Sequence, residues 1–137
     1  MTNQNRILII GGGQTAAYAA KTIRENSESS KITIFSEENF FPYEKPPLSK
    51  DYLKGDRDFE KLFFFEKKFY KDNKIDFINN KRIKSVNFED KKIFSEENEN
   101  YIYDKLLLAN GASNRKIDIP ELENDKNIVY LRNKNEC

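Results

Sequence analysis

Six consecutive residues, Gly11-Gly12-Gly13-Gln14-Thr15-Ala16, have the types and spacing to hold a phosphate ester. They fit the pattern G-x-G-x-x-G/A, in which each small residue has its own task. Gly11 allows a tight turn, and Gly13 removes the side chain that would block a pyrophosphate. Ala16 is small enough for a following helix to lie close on a sheet. A helix beginning at this point offers free backbone N–H groups and the positive end of its dipole to the phosphates. Glu37, about 20 residues on and directly after a β-rich segment, stands where an acid grips ribose hydroxyls. It is better placed than Glu38, which lies one residue further from the strand end. A carboxylate there pairs with a 2′-hydroxyl and repels a 2′-phosphate, so FAD and NAD fit and NADP does not. These residues alone leave FAD and NAD both open.

The elements that must position these groups are legible around them. Arg6 to Ile10 is a short apolar run, the form expected of a strand buried on both faces of a parallel sheet. Gln14 to about Asn26 is rich in helix formers, with Ala16, Ala17, Ala19, Ala20 and Ile23 on one face. Lys31 to Phe35 is a second strand, which completes a right-handed βαβ unit. An irregular stretch follows to about Leu48, and Ser49 is a plausible N-cap for a short helix stopped by Gly55. Phe63 to Asn73 predicts a further helix, and Ile75 to Ile78 a strand. Ile83 to Phe88, Lys92 to Ser95 and Asn100 to Tyr103 predict a small antiparallel meander. Lys105 to Ala109 reads as a central parallel strand closed by Gly111, and Ile128 to Leu131 as one more strand. The expected class is α/β, a Rossmann-like parallel sheet with a small antiparallel β-meander.

Composition removes other chemistries. The 137 residues include no His, and the single Cys is Cys137. A Ser-His-Asp triad, an imidazole metal site and a redox Cys-x-x-Cys are therefore out of reach. The 24 basic and 23 acidic residues cancel to +1, so no basic excess points to nucleic acid. Eleven Phe and seven Tyr supply apolar bulk for a core although 34% of residues are charged. No apolar run approaches the roughly 20 residues of a membrane helix, and the opening segment is too short for a signal peptide. The expectation is a cytoplasmic chain without membrane or nucleic-acid partners.

Pro42-Tyr43-Glu44-Lys45-Pro46-Pro47-Leu48-Ser49-Lys50 separates the cofactors. The segment resembles P-Y-x-R-P-P-L-S-K of the FAD-dependent NADH:ferredoxin reductases. That family includes the putidaredoxin and rhodocoxin reductases, is related to the apoptosis-inducing factors, and lies within the pyridine nucleotide-disulfide oxidoreductases. The resemblance extends from about Asn5 to the end of the chain, including Tyr103-Asp104-Lys105-Leu106-Leu107-Leu108-Ala109.

The resemblance implies FAD as cofactor. It places Gly11, Gly13, Gln14, Thr15 and Ala16 at the pyrophosphate and Glu37 at the adenosine ribose. Lys45 stands where the family has a cofactor-binding arginine, and keeps the charge without the planar fork. Lys50 matches the lysine beside the flavin, a catalytic cation able to stabilise the charge that reduction places on the ring. Ile83 falls beside the adenine. Ala109, Asn110 and Gly111 pass over the cofactor, with Asn110 where the family usually has Thr, and Arg115 matches an arginine on the FAD side.

In this family electrons pass from NADH to flavin and then singly to a ferredoxin-type iron–sulfur or haem partner, so no redox thiol is needed. The family's FAD domain is interrupted by an NAD-binding domain with its own glycine fingerprint, and a third domain follows. Residues 1–137 hold one fingerprint and no Gly-Asp segment downstream of Gly111. They are expected to be the N-terminal portion of a split, incomplete FAD-binding domain without its NAD-binding and C-terminal domains, and inactive alone. Two other readings stay open: the NAD-binding Rossmann domain of another dehydrogenase, and a cofactor-free interaction module.

Overall fold

Alternation along β1 (Arg6–Ile10) sends Ile9 to one face of a sheet and Leu8 and Ile10 to the other, and both sets find a hydrophobic layer. This computed structural model describes residues 4–122 and 125–137. Two compact units are present, one of residues up to Tyr43 with Phe63–Gly111, the other of Glu44–Leu62 with Ala112–Cys137.

In the first unit β1 is followed by α1 (Gln14–Asn26) and β2 (Lys31–Phe35), the expected βαβ unit. Then come α2 (Lys67–Asp72), β3 (Ile75–Ile78), β4 (Ile83–Asn87), β5 (Lys92–Ser95), β6 (Asn100–Ile102) and β7 (Lys105–Leu108). A four-stranded sheet has the order β3-β2-β1-β7 with all pairings parallel, and β4-β5-β6 form the expected antiparallel meander. Ile9, Ile32, Ile34 and Ile75 pack on one face of the parallel sheet against Ala16 and Ala20 of α1 and Tyr70 of α2. Leu8 and Phe35 pack on the other against Ile93 and Tyr103 from the meander and its exit. Each buried Ile or Leu contributes about 2 kcal/mol of transfer free energy, so the three layers hold the strand ends in fixed relation.

Arg24 locks the helix to the sheet. Its guanidinium donates to the carbonyls of Ser27, Glu28, Ser30, Asn73 and Lys74 at 2.6 to 3.1 Å, joining the turn after α1 to the turn before β3.

Three expected elements differ. The helix expected to start at Ser49 is instead a 3-10 turn over Pro46–Ser49, ending where the helix was to begin. Paired prolines fit the first helical positions and start the turn early, and Lys50 at φ −135°, ψ −111° leaves helical space. The helix expected over residues 63 to 73 is shorter. Phe63 forms an antiparallel bridge with Tyr43 and Phe64 N–H donates to the Pro42 carbonyl at 3.1 Å, so α2 starts only after Glu66. Residues 128 to 131 form no strand. Val129 is 84% exposed and Tyr130 spends its hydroxyl on the Ile117 N–H at 2.8 Å; among the described residues no partner strand supplies a ladder.

The second unit has its own small framework. Arg57 pairs with Glu44 at 3.1 Å and donates to the Lys61 carbonyl at 2.7 Å, while Glu44 N–H donates to the Leu62 carbonyl at 2.9 Å. Lys134 lies over the Phe59 ring and Cys137 Sγ reaches the Leu48 carbonyl at 3.2 Å.

Candidate functional site

Three chain segments leave the carboxyl ends of neighbouring parallel strands within the first unit: Gly11–Gly13 after β1, Ser36–Glu38 after β2 and Ala109–Gly111 after β7. Since β1 has β2 on one side and β7 on the other, this is the switch point at which open α/β sheets hold ligands.

The three glycines are required by different neighbours. Gly11 has φ +122° and donates its N–H to the Phe35 carbonyl at 2.8 Å. A Cβ on it would stand 2.1 Å from the Ala109 carbonyl oxygen, so Gly11 is fixed by the return of β7. A Cβ on Gly12 would stand 2.2 Å from Ser36 Oγ, which ties the turn to the end of β2. At Gly13 a Cβ would meet nothing within 4 Å, and its extended backbone suits any residue. No atom of the described residues accounts for this glycine. The space beside it is the cradle that a bound pyrophosphate would fill.

Gly13 is also the N-cap of α1. No side chain caps the helix and its first turn carries no acid, so its positive end faces outward without compensation. Ala16 and Ala17 are fully buried, which sets the helix close on the sheet, while Gln14 and Thr15 are exposed at its mouth. The donor set fits a pyrophosphate.

Of the two acids after β2, Glu38 is engaged by the Tyr43 hydroxyl, which donates to its carboxylate. Glu37 is exposed, with Arg82 Nε 3.6 Å from Oε2. Ile83, half-buried, opens β4 and packs on the Leu8 and Phe35 layer. Asn110 and Gly111 are exposed after β7, whose chain is held by Ala109 N–H donating to the Ile10 carbonyl at 2.7 Å.

Gly11, Gly13, Gln14, Thr15, Ala16, Glu37, Ile83, Ala109, Asn110 and Gly111 all belong to the first unit. Lys45, Lys50 and Arg115 belong to the second unit. Lys45 precedes the 3-10 turn and is half-buried, and its carbonyl accepts the Leu48 N–H at 3.0 Å. Lys50 closes the turn, its N–H donating to the Pro47 carbonyl at 2.9 Å, and is exposed, whereas Pro47 and Leu48 are buried. Arg115 is exposed. Sequence reasoning missed the fit of Gly12 against Ser36, for which the run of three glycines was the one available sign. It missed Arg82 entirely, because nothing in its residue type marks it.

A cleft of about 620 Å³ on the meander side of the parallel sheet, lined by Leu8, Phe35, Phe77 and Tyr101 among others, contains none of these residues. Among the described residues no group of three or more His, Cys, Asp or Glu side chains could hold a metal ion. No helix among them is long and apolar enough to cross a membrane.

A parallel sheet with an uncapped glycine-led helix and an antiparallel meander on its other face defines an α/β nucleotide-binding architecture. The pyridine nucleotide-disulphide oxidoreductase family matches residues 5–137, and the chain belongs to that family. Rhodocoxin reductase of Rhodococcus erythropolis is 34% identical over 131 residues, covering 96% of this chain and 30% of that protein. Rubredoxin-NAD(+) reductase of Pseudomonas putida is 32% identical, covering 92% of this chain and 32% of the other. The crystal structure of a ferredoxin reductase for the CYP199A2 system from Rhodopseudomonas palustris superposes with a TM-score of 0.87 at 33% identity, over 97% of this chain and 32% of that one. The chain therefore spans about a third of the length of these relatives.

Proposed function

We propose that residues 1–137 are the N-terminal portion of a split FAD-binding domain in an NADH-dependent flavoprotein reductase that passes electrons to a ferredoxin-type iron–sulfur protein in the cytoplasm. The NAD-binding and C-terminal domains of such a reductase lie outside these residues. The observation that carries the reading is Gly13: open space and an uncapped helix end coincide where a pyrophosphate would lie. The relatives named above, reductases of ferredoxin-type and rubredoxin partners, support the electron-transfer role.

FAD, when bound, supplies the two-electron to one-electron conversion that links hydride donors to iron–sulfur centres. This chain's residues bind and orient it. The N–H groups at the start of α1 hold the pyrophosphate, with Gln14 and Thr15 at the rim and Ala16 keeping the helix low. Glu37 accepts hydrogen bonds from the adenosine ribose hydroxyls, Ile83 flanks the adenine, and Ala109, Asn110 and Gly111 border the phosphates. The family resemblance alone assigns Lys45, Lys50 and Arg115 to the same cofactor, Lys50 as the flavin-adjacent cation.

FAD fluorescence quenching on titration with the purified chain tests the proposal, with Gly13→Val as the comparison. The valine enters open space at an ordinary backbone conformation, so the variant keeps its fold at a small N-cap cost of about 1 kcal/mol and loses FAD binding. Equal FAD affinity in both proteins, or none in either, overturns the reading. Binding of NADH in place of FAD would favour a dehydrogenase domain instead. With NADH and ferricyanide the 137-residue chain is expected to show little or no turnover.

A further inference from the structure

Arg82 lies in the connection between β3 and β4, outside every motif of this chain, yet its guanidinium bridges two carboxylates. Nε stands 3.6 Å from Glu37 Oε2 and Nη1 stands 3.5 Å from Glu96 Oε1. We propose that Arg82 is a positioning residue that presents the Glu37 carboxylate to a ribose hydroxyl pair; the inference rests on the adenosine reading of Glu37 given above.

Anchoring carries the argument. An exposed ion pair holds little by itself, because both long side chains must be immobilised in water. Arg82 is not free to wander. Its carbonyl accepts the Glu96 N–H at 3.0 Å, and the preceding Lys81 N–H donates to the Ser36 carbonyl at 2.8 Å. Lys81 Nζ in turn holds Glu99 at 2.6 Å and Glu97 at 3.3 Å. The Lys81-Arg82 backbone is thus pinned both to Ser36, next to Glu37, and to the turn between β5 and β6. The base of the Arg82 side chain is thereby kept within reach of Glu37, and the 3.6 Å contact places the guanidinium beside it.

Glu37 has no such support of its own. It is exposed, and the neighbouring acid is already committed to Tyr43. A glutamate with free rotamers loses entropy when it accepts two hydroxyls. Arg82 restricts those rotamers beforehand and leaves the second carboxylate edge open. When a nucleoside covers the pair, the exclusion of water strengthens the attraction.

The test compares ADP with 2′-deoxy-ADP by calorimetry on the full chain, Arg82→Gln and Arg82→Lys. The ratio of the two affinities reports the grip of Glu37 on the 2′-hydroxyl. Arg82→Gln is expected to lower that ratio by about twofold to fivefold, the range an exposed ion pair supplies, with Arg82→Lys restoring part of it. Weaker binding of both ligands by one common factor would reduce Arg82 to a structural role and overturn the proposal. So would a ratio that rises, since Arg82 would then compete with the ribose. If the native chain binds neither nucleotide, it is the adenosine reading itself that has failed.

Discussion

Arg6 and Asp104 stand 98 residues apart in sequence and join the entries of β1 and β7. Arg6 N–H donates to Asp104 Oδ2 at 2.7 Å, its Nε reaches the same oxygen at 3.1 Å, and Nη2 reaches Oδ1 at 3.2 Å. Asp104 N–H returns a bond to the Arg6 carbonyl at 2.9 Å. The pair sets the register in which Ile7 meets Lys105 and Ile10 meets Leu108, and so brings Ala109 against Gly11.

This pair gives the fold an acid-sensitive contact. Hydrogen bonds from the Arg6 side chain and then its backbone hold the Asp104 carboxyl at about 2, below its ordinary 3.8. A depressed carboxyl contributes stability above its unfolded value and loses it as pH falls through the folded one. Urea midpoints of the native chain and Asp104→Asn should therefore differ at pH 7 and converge as pH falls from about 4 to about 2. A gap undiminished at pH 2 would mean that the Asp104 charge is not what Arg6 stabilises.

Gly11 and Gly12 serve folding, in contrast to Gly13. Gly11→Ala must accept φ +122° and a backbone oxygen at 2.1 Å. It is expected to lose more than about 2 kcal/mol by chemical denaturation. Gly12→Ala pushes on Ser36 and is expected to lose about 1 to 2 kcal/mol, of which the double variant with Ser36→Gly recovers part. Equal stabilities for alanine at residues 11, 12 and 13 would remove the distinction.

Arg24 is a structural cation. Arg24→Ala strands several carbonyls and is expected to cost about 2 to 3 kcal/mol, in the range for bonds to a charged donor. Arg24→Lys recovers less than half, because one ammonium cannot span the five carbonyls that the guanidinium fork reaches. Thermal melts of the three proteins measure this, and a lysine variant as stable as the native chain would contradict it.

Tyr70 is buried among Phe41, Phe69 and Phe77, and its hydroxyl has no hydrogen-bond partner among the described residues. Burial pushes its phenol well above the ordinary range. Tyr70→Phe removes the unsatisfied hydroxyl and keeps the ring. The variant is expected to be as stable as the native chain or up to about 1 kcal/mol more so, with one fewer tyrosine resisting ionisation in an alkaline spectral titration. A clear loss of stability would show that the hydroxyl has a partner.

Local regularity marks where sequence reading succeeds. Ile7 to Ile10, Ile32 with Ile34 and Phe35, and Leu106 with Leu107 are apolar because both sheet faces are covered, and that pattern is visible in one dimension. The meander is equally visible in its polar turns. Residues 63 to 66 misled because Phe63 and Phe64 pair with Pro42 and Tyr43, some 20 residues away, and this pairing overrides helix propensity. Residues 128 to 131 misled because an apolar run is not a strand without a neighbour.

Within the site, Gly11, Gly13, Ala16 and Glu37 were legible because a glycine turn, a helix start and an acid at a strand end are tied by covalent distance along one βαβ unit. Residue types and spacing along the chain therefore determined the βαβ unit and its glycine turn, while the resemblance of Pro42 to Lys50 to the ferredoxin reductases supplied the family and the cofactor expected. Only the tertiary structure decided why each glycine is needed, which glutamate is left open and which cation stands beside it. Those facts depend on Ala109, Ser36 and Arg82 arriving from other segments and on Tyr43 folding back five residues onto Glu38, and strand register and layer packing bring them there.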